Sequence, residues 1–381
     1  MRIMLKKTIF MLTIIILLTG CWNSDEVDRM LYAHALGVNE KDGLFEIHVQ
    51  FVIFGGRGAQ GQEAGGGSLI PTVKKGTGKT IEEALFDLYK TVPEKVFWGH
   101  LSAIIFTENL MEQKGKVNEV IEKFIRYPKT RYTIWVYSTN AEALDEVLNE
   151  GTFKDMNLSP IFGRLGDPKN NYEQSSLIKP INLIDMLIEL DEPSYTSAIP
   201  YIQLLGGSKN KHLRFDSVSV LYTRNEFKGI LREAEIDGFR WLHPDIINNN
   251  LLIEDKNKKP IASIIIDKLK VDIIPETKNE NVTFLIKIKT KAYVGELFQN
   301  INQEQLTEKA KEEIKKQILT TYKRGLDLEA DVYRLTETLY RKDLKKWREI
   351  TSKDKLPLTE SSLKIDIDLL IKSSSILELT P

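Results

Sequence analysis

Apolar and polar positions alternate over residues 44–51 (LFEIHVQF), and this period of two predicts a strand with one buried face. The opposite face, which carries Glu46 and His48, is predicted to be solvated. Residues 30–36 show no clear period. Residues 37–43 begin and end in glycine and predict a turn.

The rest of the first half alternates between strand-like and helix-like stretches. Apolar or β-branched runs predict the strands, and apolar residues three and four positions apart predict the helices. In chain order these are helix 81–88, strand 101–106, helix 108–127 with a break near Gly115, strand 131–137, helix 141–148, helix 178–190 and strand 201–205. Strands that alternate with helices are typical of an α/β arrangement. Residues 151–176, rich in Asn, Gly and Pro, predict an irregular segment.

In the second half, two long apolar stretches at 261–274 and 281–294 flank a polar turn at 276–280 and predict a β-hairpin. Asn302, followed by Gln305, is predicted to cap a long helix. The apolar stripe of that helix is Leu306, Ala310, Ile314, Ile318 and Tyr322. The remaining elements are predicted in this order: strands 215–222 and 228–231, a helix at 232–241, a helix at 335–347 and a strand at 363–371.

These elements predict an α+β second half, in which an antiparallel-rich sheet has one solvated face and two helices packed on the other. Lys287, Lys289 and Lys291 fall on the solvated face. We interpret them as a solvated surface, and a docking surface for an acidic partner is the alternative. The main boundary is predicted between residues 205 and 215. It gives a first region, 21–210, with a possible second subdomain from about residue 150, and a second domain, 211–381.

Residues 76–80 (GTGKT) resemble a phosphate-binding loop in composition but not in spacing. A Walker A motif has a glycine where Val73 stands, and no apolar strand leads directly into this stretch. We interpret it as the start of a helix, with Thr80 as the N-cap and Glu83 completing a capping box.

The chain opens with three basic residues, followed by the apolar run 8–18 and then by Leu-Thr-Gly before Cys21. A charged head, a short apolar run and a small-residue cleavage site are typical of a secretory signal. The sequence Leu-Thr-Gly-Cys resembles the lipobox of bacterial lipoproteins. That resemblance implies a signal peptide at residues 1–20, acyl chains such as palmitate on Cys21, and a mature protein tethered to the outer leaflet of a membrane. An uncleaved anchor helix is the alternative.

Composition and charge restrict the partners. Without residues 1–20, the chain has 50 basic and 54 acidic residues. Nucleic-acid binding needs a concentrated positive footprint, so this balance argues against nucleic acid as a partner, and it argues against binding anionic lipid by bulk charge. Cys21 is the sole cysteine, which excludes an intramolecular disulfide and leaves no thiolate for catalysis once it is lipidated.

The sequence shows no signature of an active site. Its five histidines lie far apart and form no metal-binding pair, and no GxSxG nucleophile motif occurs. His100 precedes a buried strand and is interpreted as a structural histidine, with a catalytic base as the alternative. Asp366 and Asp368 alternate onto an exposed strand face. No catalytic residue, metal ligand or cofactor is therefore predicted, and the glycine-rich run 55–68 is interpreted as a flexible loop.

Several motifs together resemble the Ger(x)C lipoproteins, the C subunits of spore germinant receptors in endospore-forming bacteria. The motifs are Gly20-Cys21-Trp22 followed by Asp25 and Glu26, the stretch 78–84 (GKTIEEA), 97–101 (FWGHL), 124–128 (FIRYP), 218–231, and 331–347. The resemblance covers nearly the whole chain in order. This chain departs from the family pattern at two places. The family often has glycine where Arg334 and Thr336 stand, and aspartate where Tyr127 stands.

The resemblance implies a non-enzymatic lipoprotein with an elongated, multi-domain ectodomain of mixed sheets flanked by helices. It also implies that two integral membrane subunits, A and B, are partners in sensing germinants at the inner spore membrane. A solute-binding lipoprotein that delivers a small ligand to a transporter is the alternative. That function needs two similar α/β lobes around a cleft, which the unlike halves of this sequence do not predict.

Overall fold

The structure is a computed structural model. It describes residues 30–52, 72–126, 130–150, 177–193, 195–206, 212–222, 226–243, 249–278, 281–351 and 357–372. Cys21, the glycine-rich run 55–68 and the segment 151–176 lie outside these residues, so what is said of them above stays a prediction. Among the described helices, none is long and apolar enough to cross a membrane.

The first part of the chain builds a ten-stranded mixed sheet with helices on both faces. Its elements are β1 (Met30–Lys41), β2 (Leu44–Val52), β3 (Thr72–Gly78), α1 (Ile81–Tyr89), β4 (Lys95–Phe97), β5 (Ala103–Thr107), α2 (Glu108–Glu112), α3 (Lys116–Ile125), β6 (Trp135–Thr139), α4 (Leu144–Glu150), β7 (Ile181–Asn182), α5 (Leu183–Asp191), β8 (Thr196–Leu205), β9 (His212–Tyr222) and β10 (Glu226–Arg232). The strand order is β10-β9-β8-β6-β5-β1-β2-β3, with β4 on β1 and β7 on β6. The predicted alternation of strands and helices is confirmed.

Both faces of this sheet are buried. One face packs against α1, α2, α3 and α5, and the other packs against α4 through Leu144, Val147 and Leu148. The prediction of a solvated face on β2 is therefore wrong. His48 is 7% exposed and Gln50 is fully buried, because α4 lies over that face.

The turn predicted over residues 37–43 is also wrong, because β1 continues through Lys41 and pairs with β2, β4 and β5. Only Asp42 and Gly43 form the turn, both with positive φ. Gly37 lies inside the strand, where a Cβ atom would stand 2.5 Å from Leu144 Cδ1. That glycine serves the close approach of α4 rather than a turn.

Helix α1 begins as predicted. Thr80 is its N-cap and accepts a hydrogen bond from the Glu83 N–H, and Ile81, Ala84, Leu85 and Leu88 are buried. The predicted capping box is not formed, because the Glu83 carboxylate accepts from the N–H of Lys79, one residue before the N-cap, at 2.7 Å. A Cβ on Gly76 would lie 2.2 Å from the Ala84 carbonyl oxygen. The glycines of GTGKT therefore let α1 pack directly on β3.

The second part of the chain builds a four-stranded sheet. Its elements are β11 (Asn249–Glu254), β12 (Pro260–Lys278), β13 (Asn281–Leu297), α6 (Gln303–Asp327), α7 (Leu335–Lys342), α8 (Leu344–Ile350) and β14 (Leu363–Lys372). The hairpin of β12 and β13 is confirmed, but the strands extend through most of the predicted turn. The order is β11-β12-β13-β14, and β14 runs parallel to β13. The sheet is thus antiparallel except at this last pairing.

The helices of this part follow the predicted stripe closely. Asn302 accepts a hydrogen bond from the Gln305 N–H, and all five stripe residues of α6 are buried. The predicted helix 335–347 is divided at Asp343, whose carboxylate caps α8 by accepting from the Lys346 N–H. Together these helices cover one face of the sheet.

The segment 232–241 forms two short 3-10 turns, Glu233–Glu235 and Phe239–Leu242, so the predicted continuous helix is wrong. Between them, the Gly238 N–H donates to Thr321 Oγ1 of α6 at 2.9 Å. A Cβ on Gly238 would stand 2.2 Å from Tyr333 Oη. Packing against α6 therefore determines the path of this segment more strongly than its helical spacing.

The two sheets share a hydrophobic core. Strands β9 and β10 belong to the ten-stranded sheet, yet Val218, Val220 and Leu231 from these strands pack with residues of the four-stranded sheet and of α6. The predicted mixture of α/β and α+β architecture is confirmed. The division at residue 210 stays a proposal, since the ten-stranded sheet continues across it.

Candidate functional site

His48 lies in a polar cluster between β2 and α4. Its Nδ1 atom lies 2.6 Å from Asp145 Oδ1, and Lys75 on β3 also pairs with Asp145. Burial lowers the pKa of His48, and the hydrogen bond to Asp145 offsets this only in part. Burial also disfavours the Asp145 carboxylate, but hydrogen bonds from Lys75 and His48 outweigh it and lower the Asp145 pKa. The cluster satisfies polar groups that α4 would otherwise bury unpaired.

His34 and His100 lie near the start of β1. His34 stands at a bulge, where Nδ1 is 3.2 Å from Gln50 Oε1 and Nε2 is 3.4 Å from Ser102 Oγ. Burial lowers the pKa of His34. His100 packs edge-on against Tyr32, with ring centroids 5.1 Å apart. In the described part of the chain, no group of three or more His, Cys, Asp or Glu side chains could hold a metal ion.

A charged cluster joins α5 and β8 to the segment before α7. Glu189 accepts hydrogen bonds from Arg334 Nη2 at 3.1 Å, from the Tyr195 hydroxyl at 2.6 Å and from the Ser197 hydroxyl. The guanidinium carbon of Arg334 lies 3.9 Å from the centroid of the Tyr195 ring, in cation–π contact. We call these four residues, Glu189, Tyr195, Ser197 and Arg334, the clasp.

Electrostatics explain why the clasp depends on its arginine. Burial raises the pKa of Glu189 in spite of its three donors, Arg334 among them. Burial also raises the pKa of Tyr195 well above its ordinary value, so its phenol stays protonated and donates. A buried carboxylate that loses its cation destabilises the folded protein. The clasp therefore needs both the Glu189 carboxylate and the Arg334 guanidinium.

Backbone contacts reinforce the clasp in both directions. The Thr196 hydroxyl of β8 donates to the Asp331 carbonyl at 2.6 Å, and Arg334 Nε donates to the Thr196 carbonyl at 3.0 Å. The carboxylate of Asp331 is buried, which raises its pKa, and it accepts from the N–H groups of Leu335 and Thr336. Asp331 thereby fixes the start of α7 next to β8.

Arg334 adopts the left-handed conformation, with φ +56°. L-residues enter this region at a cost of about 1–2 kcal/mol, whereas glycine enters it freely. The glycine that the Ger(x)C resemblance associates with this position suits that backbone. In this chain the arginine side chain gains the clasp contacts that offset the strain.

A cavity of about 310 Å³ lies beside the clasp. Ile178, Ile188, Val218 and Phe239 form part of its apolar wall, so residues from both parts of the chain line it. Its ionisable lining is Lys179, Asp185, Glu189, His243 and Arg334. The volume is at the lower end of the range for small-molecule sites, and the lining carries both signs of charge. Sequence reasoning missed this site because Arg334 and Glu189 are 145 positions apart.

Comparison with known protein families decides the classification. The N-terminal domain model of spore germination proteins matches residues 23–204, and the C-terminal model, described as spore germination B3/GerAC-like, matches residues 217–375. The chain belongs to the GerAC-like spore germination protein family. The Ger(x)C resemblance is therefore confirmed across both parts of the chain.

Individual relatives are distant in sequence, and the alignments with them cover most of both chains. Spore germination protein KC of Bacillus subtilis (strain 168) is 22% identical over 393 residues, which covers 97% of this chain and 95% of that protein. Spore germination protein YndF of the same organism is 23% identical and covers 79% of this chain and 78% of that protein. Spore germination protein B3 is 24% identical, with coverage of 76% and 75%.

A solved structure has the same fold. The crystal structure of the GerBC protein matches with a TM-score of 0.50 and 18% identity, covering 89% of this chain and 96% of that one. At this identity the likeness concerns the fold alone. Cys21, the site residue that the sequence predicts, lies outside the described residues, and its lipidation stays a prediction.

Proposed function

We propose that this protein is a lipid-anchored, non-enzymatic subunit of a nutrient germinant receptor, acting with two integral membrane subunits, A and B. One observation carries the proposal: the two family models match in order over almost the whole chain, and the first match begins at residue 23, two residues after the lipobox cysteine. Relatives named as spore germination proteins span most of the chain and support it.

In this proposal Cys21 holds the protein on the outer leaflet of the inner spore membrane. One acyl chain gives only marginal membrane binding, whereas two anchor stably, so diacylation at Cys21 is the step that matters. Confinement to one surface raises the effective concentration of the protein near membrane-embedded partners without any new contact. The clasp would support contact with those partners in another way, because it holds the two sheets in one fixed arrangement.

Deletion of the gene tests the proposal. Spores without it should lose their response to the nutrients of this receptor, and they should still germinate with calcium dipicolinate, which bypasses nutrient receptors. Reintroduction of the wild-type gene should restore the nutrient response. Normal nutrient germination by the deletion strain, across a panel of amino acids and sugars, would refute the proposal.

A solute-binding lipoprotein is the second candidate, and the cavity beside the clasp is the observation that favours it. The two sheets argue against it, because a ten-stranded sheet covered on both faces and a four-stranded sheet covered on one are not similar lobes. Calorimetry of the purified protein with amino acids and sugars distinguishes the two functions. Micromolar binding combined with normal germination of the deletion strain would favour the solute-binding function.

A further inference from the structure

The outer face of the four-stranded sheet, opposite the helices, exposes one large apolar side chain from each strand. Leu252, Ile265, Tyr293 and Leu370 are 45%, 44%, 37% and 48% exposed. The register places Ile265 directly opposite Tyr293. Leu252 and Leu370 lie one diagonal step away, on β11 and β14. These four residues, the apolar stripe, therefore cross the whole sheet.

Two pairs of lysines lie beside the apolar stripe on the same face. Lys268 is directly opposite Lys291, and Lys270 is directly opposite Lys289. Like charges at directly opposite positions destabilise an antiparallel pair. Asp368 of β14 pairs with Lys289 at 3.1 Å. Among the described residues, no carboxylate forms an ion pair with the other three lysines of this ladder.

We propose that this face docks an acidic protein segment that also carries aliphatic or aromatic side chains. Carboxylates of such a partner would relieve the repulsion within the lysine ladder, and its apolar side chains would cover the apolar stripe. The opposed lysines destabilise the isolated protein, and a contiguous exposed apolar patch is typical of an interaction site. This inference does not rest on a role in germination.

A protein partner fits this face better than an anionic membrane. The strands β12 and β13 are 19 and 17 residues long, and long neighbouring strands twist relative to each other, so the lysines do not form a plane. Asp272, Asp366 and Asp368 are interleaved with the lysines on this face. An anionic bilayer presents negative charge to these carboxylates as well as to the lysines, whereas a protein segment can place its carboxylates beside the lysines alone.

Binding of a defined peptide to the full-length lipidated protein in neutral detergent tests the proposal. The probe is a fluorescein-labelled peptide of repeated Glu-Leu-Glu-Ser, and its counterpart has glutamine in place of glutamate. Fluorescence anisotropy should show that the acidic peptide binds at least about tenfold more tightly than the neutral one and that added salt weakens it. Vesicles of phosphatidylglycerol provide the lipid comparison.

Two matched charge reversals localise the binding. Lys270→Glu should weaken the acidic peptide about tenfold, and Lys315→Glu on the solvent side of α6 should leave it unchanged. Lys270→Glu also places an opposite charge directly across from Lys289, so the unfolding midpoint of the variant should rise. A loss of binding by this variant could then not be explained by a loss of folding. Leu370→Ser should weaken binding as well, because the stripe contributes.

Three results would overturn the proposal. The first is equal affinity for the acidic and neutral peptides. The second is an identical effect of Lys270→Glu and Lys315→Glu. The third is binding of phosphatidylglycerol vesicles without binding of the acidic peptide, which would identify the face as a lipid surface.

Discussion

The two sheets differ in the environment of their polar residues. The ten-stranded sheet is covered on both faces, so His48 and Gln50 are buried, His34 is half-buried, and each finds a side-chain or carbonyl partner. The four-stranded sheet is covered on one face, and its polar residues remain in solvent, where two lysine pairs oppose each other. The first sheet is a closed scaffold. The second keeps one face available for binding.

Paired alanine substitutions on neighbouring positions test this difference with the largest expected effect. In β13, Ile286→Ala should lower the free energy of unfolding by about 3 kcal/mol, whereas Lys287→Ala should change it by less than about 0.5 kcal/mol. In β2, Ile47→Ala and His48→Ala should both be destabilising, because both faces are covered. Urea unfolding followed by circular dichroism measures all four. A neutral His48→Ala would contradict two-sided burial.

The success of sequence reasoning follows the same division. On the four-stranded sheet the alternation of Phe284, Ile286 and Ile288 with lysines identified the buried face correctly, since one face is in water. On β1 no such alternation exists, because a strand buried on both faces has no polar face. In the sequence Gly37 and Asn39 cannot be distinguished from turn residues. Their roles depend on tertiary contacts, of Gly37 with α4 and of Asn39 with Thr107.

The candidate site could not be read from the sequence for a different reason. Glu189 lies in a predicted helix and Arg334 lies just before another, and only the tertiary fold brings these two charged residues together. The direction of β14 was equally hidden, because its alternation is the same in a parallel and an antiparallel pairing. The alternation of apolar and polar residues along a strand predicts which face is buried, but it does not predict which strand lies beside it.

Arg334 links the two sheets, and its substitution should have the next largest effect. Arg334→Ala should destabilise the protein by about 2 kcal/mol, because Glu189 loses its cation while the backbone remains left-handed. Arg334→Gly loses the same contacts but relieves the strain, so it should be about 1 kcal/mol more stable than Arg334→Ala. Chemical denaturation of the three proteins gives the order. A glycine variant less stable than the alanine variant would contradict the role assigned to φ at this position.

Acid should destabilise the ten-stranded sheet through His48, which is buried, and His34, which is half-buried. The folded-state pKa values of His34 and His48 are lowered, so the unfolded chain takes up protons more readily below its ordinary histidine pKa. Their contribution is fully present above about pH 6.5 and declines as the pH falls below it. The raised pKa values of Glu189 and Asp331 act with the opposite sign, favouring the folded state as the pH falls.

A single substitution isolates the histidine contribution. Between pH 7.5 and pH 5.5, His48→Gln should lose less stability than the wild-type protein, by on the order of 1 kcal/mol. Thermal denaturation at both pH values provides the comparison. Parallel losses in the two proteins would show that His48 does not contribute.

The smallest expected effect concerns the open face. Lys270→Glu should raise stability by a few tenths of a kcal/mol, about the value of one cross-strand charge pair. The same change of sign at Lys315 on α6 should have no comparable effect. Equal shifts for the two variants would show that the opposed lysines carry no local strain.

Co-purification from spore membranes tests the proposed receptor role most directly. Full-length protein with a C-terminal affinity tag would be recovered from detergent-solubilised spore membranes, with Cys21→Ala as the matched variant. We predict that the wild-type protein brings down its integral A and B subunits in fixed proportion and that Cys21→Ala recovers far less of both. Recovery of the wild-type protein alone, from membranes that contain both subunits, would contradict the account.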